Sequence, residues 1–251
     1  SEHDPRCLYT SREEPETYAS THWTGEWWQV LNHYYTYTTT SYSFGQTAYA
    51  ASPTSPFFLF ESKYENEQSV TVQELRAQAY WSILTGGCGH IFGNCPIHSF
   101  GQTGASCSPP IHNWFGWLDS TGSQDVKRFG ELFRSRHWSK LIPDPSQVVM
   151  TAGQGTGATY ATTSRTSDSS SIIAYIPTQR AVTIQCAWLK SDSIQIRWYN
   201  PATGAVTDSG MKAKASIVMN PPMATDYVLV VDGKDWQFGP PGSPLKKKKL
   251  L

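Results

Sequence analysis

In the first half of the chain the densest apolar run is Phe57-Phe58-Leu59-Phe60, and it stops abruptly at Glu61. A short unbroken run of large apolar residues predicts a buried strand, here delivering a carboxylate to its C-terminal end. The period then changes. Thr71 and Glu74 make a capping-box pattern, and Val72, Leu75, Ala79 and Ile83 recur at helical spacing, with Tyr80 and Leu84 widening the stripe. Gly86-Gly87 ends that helix, and the residues around His90-Ile91-Phe92 predict another buried strand, so the unit reads as strand, helix, strand with parallel pairing. Upstream, residues 6–11 and 27–37 predict two more strands, the second rich in aromatics and carrying Asn32 and His33 near its end. Residues 13–25 between them are polar and read as a loop that includes His22 and Trp23. Residues 38–55 show little periodicity and read as a loop with at most a short helix. Further on, Ser123-Gln124-Asp125 starts a helix whose Val126, Phe129, Leu132 and Phe133 share a face.

From Pro143 the pattern shortens. Residues 171–176, 182–186, 194–198, 217–219 and 227–231 predict short strands separated by turn residues, Asn200-Pro201-Ala202-Thr203-Gly204 being the strongest turn signal. That is the signature of a small antiparallel sandwich. The chain is therefore expected to be α/β followed by all-β, with domains at residues 1–143 and 144–238 and a disordered tail at 239–251. Residues 95–116 are rich in Gly, Ser and Pro and long for a connection, so they serve either as a lid over a cleft or as a surface insertion.

Composition narrows the partners. With 20 basic and 20 acidic residues in 251, no overall field favours nucleic acid or an anionic membrane, and no apolar run approaches the length of a membrane span. The one basic run, Lys246 to Lys249, lies in the Pro/Gly-flanked tail. Ten Trp and thirteen Tyr suit a sugar-binding cleft, whose rings stack on pyranose faces, and equally suit cores. Five cysteines leave at least one unpaired; Cys95 and Cys107 would pair if the protein is exported, and buried free thiols are the competing reading. Cys88, His90, Cys95 and His98 match no common zinc spacing, so neither a metal nor a cofactor is expected.

Three stretches carry a family likeness: Phe60-Glu61-Ser62-Lys63-Tyr64-Glu65, then Arg76 with Tyr80-Trp81, then Gly86-Gly87-Cys88-Gly89-His90-Ile91-Phe92-Gly93-Asn94. They resemble the apiosidase-like glycoside hydrolases, which are (β/α)8 barrels followed by a small β-sandwich carrying a collagen-binding label. Trp117-Leu118-Asp119-Ser120-Thr121-Gly122-Ser123 and Trp198-Tyr199-Asn200-Pro201-Ala202-Thr203-Gly204 extend the likeness over most of the chain. The resemblance implies that the four predicted strands are the last four of a TIM barrel. The chain would then be the C-terminal half of the barrel plus the sandwich, a fragment of a secreted or periplasmic protein. No collagen-specific feature is visible in the sandwich.

Glycoside hydrolysis commonly uses two carboxyl groups flanking the scissile bond. From position alone Glu61 serves equally as a rim salt-bridge partner and as a catalytic group. The resemblance implies the second: nucleophile of a retaining mechanism, its acid/base partner lying on an earlier strand. Glu65 and Glu67 share the loop of Glu61 and are poorly placed to act as that partner. Tyr64 and Glu65 read as positioning groups, Glu65 alternatively as a partner of Arg76. His90 and Asn94 match polar residues of the family and are expected to bind sugar hydroxyls, with a backbone-satisfied core histidine as the competing reading of His90. His98 stands where the family usually has Trp, and Tyr34-Tyr35-Thr36-Tyr37 is less polar than its counterpart. Asn32, His33, Trp23, Trp114 and Trp117 complete the expected substrate contacts, Trp114 and Trp117 suiting a sugar platform or plain packing. The expected function is hydrolysis of a complex, plant-type polysaccharide; the alternative is a non-catalytic carbohydrate-binding or adhesion protein on the same fold.

Overall fold

The computed structural model describes residues 8–52, 55–67, 69–100 and 113–245. Its first part is a three-stranded sheet with helices. Strand β1 (Thr17–Tyr18) leads into helix α1 (Ala19–Trp23); β2 (Asn32–Tyr35) is followed by α2 (Tyr42–Ala50), β3 (Phe57–Glu61) by α3 (Val72–Leu84), and then α4 (Cys95–His98) and α5 (Thr121–Arg134). Strands β2 and β3 are parallel, and β1 runs antiparallel to β2. Single parallel bridges, Tyr9 to Gln29 and Leu59 to His90, continue the arc on either side.

Several expectations change here. The strand expected around His90 is a single bridge, because Gly87, Gly89 and Gly93 supply no side chains to pack on a pleated surface. The one at residues 6–11 is likewise a bridge at Tyr9, with Arg6 and Cys7 outside the described residues. The aromatic strand shrinks to Asn32–Tyr35, since residues 23–29 close into turns through Glu26 N to Trp23 O and Gln29 N to Glu26 O. Within residues 38–55, read as loop with at most a short helix, the helix is α2, nine residues long: Ala48 is buried and Phe44 and Tyr49 pack against Tyr34, Phe57 and Leu59, so tertiary contact supports it despite weak periodicity. The polar loop at 13–25 likewise holds β1 and α1.

Helix α3 forms as expected, Thr71 Oγ1 accepting from Glu74 N while Glu74 Oε2 accepts from Thr71 N. It is buried all round rather than along one stripe: Leu75, Ala77, Gln78, Ala79, Tyr80, Trp81, Ser82, Ile83 and Leu84 are all covered. The covering element is the second part of the molecule.

That part is a two-sheet sandwich. Its strands are β4 (Leu141–Pro143), β5 (Met150–Ala152), β6 (Thr162–Thr166), β7 (Ser171–Ile176), β8 (Val182–Gln185), β9 (Ser193–Tyr199), β10 (Val206–Ala213), β11 (Ser216–Met219) and β12 (Tyr227–Gly233). One sheet has the order β10-β9-β12-β7-β6-β4 and the other β11-β8-β5, with every pairing antiparallel. Ile172, Ala174 and Ile176 of β7 and Leu229 and Val231 of β12 fill the space between the sheets. The alternate residues Ile173, Tyr175, Val228 and Val230 pack outward on α3 and α5. This explains why β7 and β12 read as unbroken apolar runs: both of their faces are buried.

Hydrogen bonds lock the seam. Trp81 Nε1 donates to Tyr160 O (2.9 Å), Ser164 Oγ to Leu84 O (2.7 Å) and Tyr199 OH to Arg128 O (3.1 Å). Tyr80 stacks on Tyr175, with ring centroids 4.8 Å apart and planes within 4°. Arg76 binds Asp226 through Nε and Nη2 (2.8 Å each) and Asp125 through Nη1 (2.7 Å), so its partner is not Glu65. Burial opposes the charge on Arg76, but the two carboxylates prevail and hold it ionised. The tail expected to be disordered is anchored at its start, where Arg136 Nη2 donates to Gly239 O and Gly242 N to Ser135 Oγ; residues 246–251 lie outside the described set.

Candidate active site

Glu61 is the last residue of β3, and pairing with β2 decides where it points. Tyr34 pairs with Leu59 but Tyr35 with Glu61, so the register skips Phe60. Strict alternation would send Glu61 to the side of Phe57 and Leu59, which pack against α2. The extra residue re-aims it to the opposite face, beside Tyr35 and Tyr37. There Glu61 Oε1 accepts from Tyr64 OH (3.0 Å) and Tyr37 OH (3.4 Å), and Oε2 lies 3.5 Å from Arg12 Nη2. The carboxylate side chain is 12% exposed and Arg12 is 71% exposed, so the site is lined by phenols and open on its guanidinium side. Tyr35 OH and Tyr37 OH are linked at 2.8 Å. Burial, reinforced by the charge of Glu61 and the hydrogen bond to it, pushes Tyr64 up to about 12; burial first and Tyr35 second raise Tyr37 as well. Both phenols therefore stay protonated as donors.

The site depends on a close approach. A Cβ on Gly93 would lie 2.4 Å from Tyr64 Cδ1, so glycine lets the backbone sit against the ring. The other edge of Tyr64 meets His98, with ring centroids 5.5 Å apart.

Glu65 sits in a different place, although only four residues away. It is 5% exposed, and its carboxylate accepts from Asn94 Nδ2 (2.8 Å), Gly122 N (2.8 Å) and Ser120 Oγ. Ser120 is the N-cap of α5, so Glu65 and Asn94 fasten the β3 loop to that helix's positive end. Glu67 is committed too: its Oε2 accepts from Tyr64 N (2.9 Å), and its own N–H returns to Tyr64 O.

The remaining expected contacts are dispersed. Asn32 Oδ1 accepts from Ser20 N and His33 N, which makes it a tie between α1 and β2. His33 is fully buried, its Nδ1 2.8 Å from Thr10 Oγ1 and its Nε2 without a partner, on the face of Phe58 and Phe60. His90 packs edge-on against Phe129, with no side-chain hydrogen bond to the described residues; enclosure lowers its imidazole to about 4. Trp23 Nε1 donates to Glu13 Oε1 (2.7 Å) and its ring meets Trp28. Trp114 stacks on Phe115 (3.7 Å) and, like Trp117, lies in a short 3-10 turn beyond α4; residues 101–112 of that connection are outside the described set. Cys95 is disulfide-bonded; the expected partner Cys107 lies outside the described residues, and Cys88 and Cys186 are free thiols.

Arg12, Tyr35 and Tyr37 are not among the expected catalytic or substrate-binding residues, although the Tyr34–Tyr37 segment stands out as less polar than its family counterpart. Tyr35 and Tyr37 carried a signal, since residues two apart on a strand share a face. Arg12 carried none. Among the described residues, Glu13, Glu14 and His22 bring potential metal-ligand atoms within 4.8 Å of one another, but Glu13 is occupied by Trp23 and Ser11.

The fold has known counterparts. A glycoside hydrolase family 5 structure from Bacteroides vulgatus aligns with a TM-score of 0.79 at 19% identity, covering 88% of this chain and 54% of that one. A second structure described as a glycoside hydrolase aligns at 0.77 with 17% identity, covering 88% and 56%. The chain thus spans about half the length of the solved structures it matches. No curated protein matches it. The structural likenesses show the fold, and the family match supplies the class, a glycoside hydrolase family. The chain belongs to the family described as "Apiosidase-like, catalytic domain", which matches residues 1–140. Residues 142–232 match the "Putative collagen-binding domain of a collagenase".

Proposed function

We propose that Glu61 is the nucleophile of a retaining glycosidase that acts on a complex, plant-type polysaccharide, and that the parallel arc is part of a (β/α)8 barrel. The observation that carries the reading is the skipped residue at Phe60. A carboxylate following four large apolar residues is turned away from the helix-facing core and held in one orientation by two phenolic O–H groups. Such preorganisation is what attack at an anomeric carbon requires. Tyr64 positions the nucleophile and His98 positions Tyr64. The acid/base carboxyl would come from an earlier strand of that barrel.

One observation favours a non-catalytic carbohydrate-binding reading instead: Glu65 and Glu67, the nearest carboxylates in sequence, are both consumed by structural hydrogen bonds. The discriminating experiment is reducing-sugar release from a panel of plant glycans. It is run on the chain alone, on the chain fused to the barrel strands of a relative that complete the arc, and on the fused Glu61→Gln variant. Release by the fusion, reduced roughly thousandfold by Glu61→Gln, supports the nucleophile. Binding without release, or turnover that survives Glu61→Gln, removes the assignment and leaves the binder.

A further inference from the structure

Of the two phenols that hold Glu61, Tyr37 has the looser grip and the less secure footing. Tyr64 OH reaches Glu61 Oε1 at 3.0 Å but Tyr37 OH only at 3.4 Å, near the limit of a hydrogen bond. Tyr37 lies two residues beyond Tyr35, where β2 ends, so the strand itself does not fix its backbone. A small displacement there would break the contact with Glu61.

The residue that holds this segment is Glu16. Its N–H donates to Tyr35 O (2.7 Å), which extends the β1–β2 ladder by one residue. Its carboxylate reaches further: Oε1 accepts from Tyr37 N (2.8 Å) and Oε2 from Thr36 Oγ1 (2.6 Å). Bonds of this kind, to a carboxylate acceptor, are stronger than neutral ones. Thr36 is fully buried, and its own N–H donates to Glu61 O (3.1 Å). One side chain therefore grips two consecutive residues, the first bonded to the Glu61 backbone and the second to the Glu61 carboxylate.

The backbone of Glu16 is a second, independent observation. Its φ is +64°, in the left-handed region that glycine and asparagine adopt readily and glutamate rarely does. Glu16 is also exposed, so neither backbone preference nor burial accounts for a glutamate at this turn. Its two carboxylate hydrogen bonds do. Strain of this sort persists where the surrounding structure over-determines it, and it clusters at functional sites.

We propose that Glu16 is a positioning residue of the Glu61 site: by clamping Thr36 and Tyr37 it fixes the orientation of the Glu61 carboxylate. It acts through Tyr37 and not on the substrate. The proposal rests on the reading of Glu61 as the reacting group.

The test is carbon-13 NMR of the full chain labelled at Glu Cδ and Tyr Cζ, with Glu61→Gln and Tyr37→Phe assigning the two signals. Glu16→Gly and Glu16→Asn suit the left-handed backbone and take away the reach of the carboxylate, so both should fold, which thermal unfolding checks. Glu16→Gln keeps an oxygen that can accept from Tyr37 N. In the wild type, burial first and Tyr35 second, with the charges of Glu61 and Glu67, hold the Tyr37 phenol un-ionised well above its ordinary 10. In Glu16→Gly and Glu16→Asn the Tyr37 signal is expected to titrate at lower pH, back toward 10, and the Glu61 signal at pH 7 to move to its position in Tyr37→Phe. In Glu16→Gln both signals are expected to stay where the wild type has them. A Glu61 signal that keeps its wild-type position in Glu16→Gly and Glu16→Asn overturns the proposal. So does a Glu61 signal that moves further when Glu16→Gly is added to Tyr37→Phe, because Glu16 would then act by another route. Both signals are read without substrate, so failure of the clamp is distinct from failure of the nucleophile, which shows as turnover that survives Glu61→Gln.

Discussion

Glu61 and Glu65 show how far four residues can separate two carboxylates. Both lie at the end of β3 or just beyond it, yet one is held by phenols at a partly open site and the other is fully enclosed at a helix N-terminus. The sequence made Glu61 legible because an acid ending an apolar run must find a polar setting. It could not reveal the role of Glu65, whose partners Asn94, Ser120 and Gly122 lie 29 to 57 positions away. Two expectations follow at this scale. Tyr64→Phe removes a hydrogen bond to a charged acceptor, worth about 1.5–3 kcal/mol, so kcat/KM should fall about tenfold to hundredfold with thermal stability nearly unchanged. Gly93→Ala should act through the same ring, lowering activity by displacing Tyr64; unchanged kinetics in either variant would remove Tyr64 from the site.

Elements that were legible are those whose signal is local. The capping box of α3, the face of α5 and the strands β7, β8, β9, β11 and β12 follow from spacing alone. Helix α2, the bridge at His90 and the edge strands β4, β5 and β10 do not, since their packing partners rather than their own periodicity decide them. Helix α5 starts at Thr121, two residues before the expected start, because Ser120 caps it and Glu65 binds the N–H of Gly122. Glu65→Ala should therefore leave the donors of Asn94, Ser120 and Gly122 unmet and cost roughly 3 kcal/mol, read as a drop in the urea midpoint. Two enclosed histidines, His90 after α3 and His33 in β2, give the fold a pH signature as well. Enclosure lowers His90 to about 4 from an ordinary 6.5, and burial lowers His33 in the same direction. Above pH 6.5 both states hold neutral imidazole and the fold keeps its full stability. As pH falls from 6.5 toward 4, the unfolded chain takes up protons that the folded chain refuses, so stability declines. Urea midpoints at pH 7 and pH 4.5 should show this fall, and His90→Gln should make it shallower; an identical slope would show that His90 does not contribute.

At the scale of the whole molecule, the sequence divides into two patterns near Pro143, and the structure joins what the patterns separate. Helix α3 reads as one amphipathic stripe because the sequence cannot show that a second layer covers its other side. That layer is the six-stranded sheet, and Arg76 with Asp226 is its strongest tie. Asp226 is fully buried, so Arg76→Ala strands a charge and should cost about 3–5 kcal/mol, with a single unfolding transition splitting into two if the parts then melt separately. A conserved midpoint in Arg76→Ala would show that the seam does not depend on this pair.

The family matches meet between residues 140 and 142, but the material boundary lies elsewhere. Recombination that cuts the chain there, in nature or at the bench, would present Asp226 and Tyr175 to a helix that evolved against a different sheet. The portable piece is the sandwich together with α3 and α5, and because α3 is the next element after the strand that ends in Glu61, a transplant of the sandwich has to bring that strand and its carboxylate along.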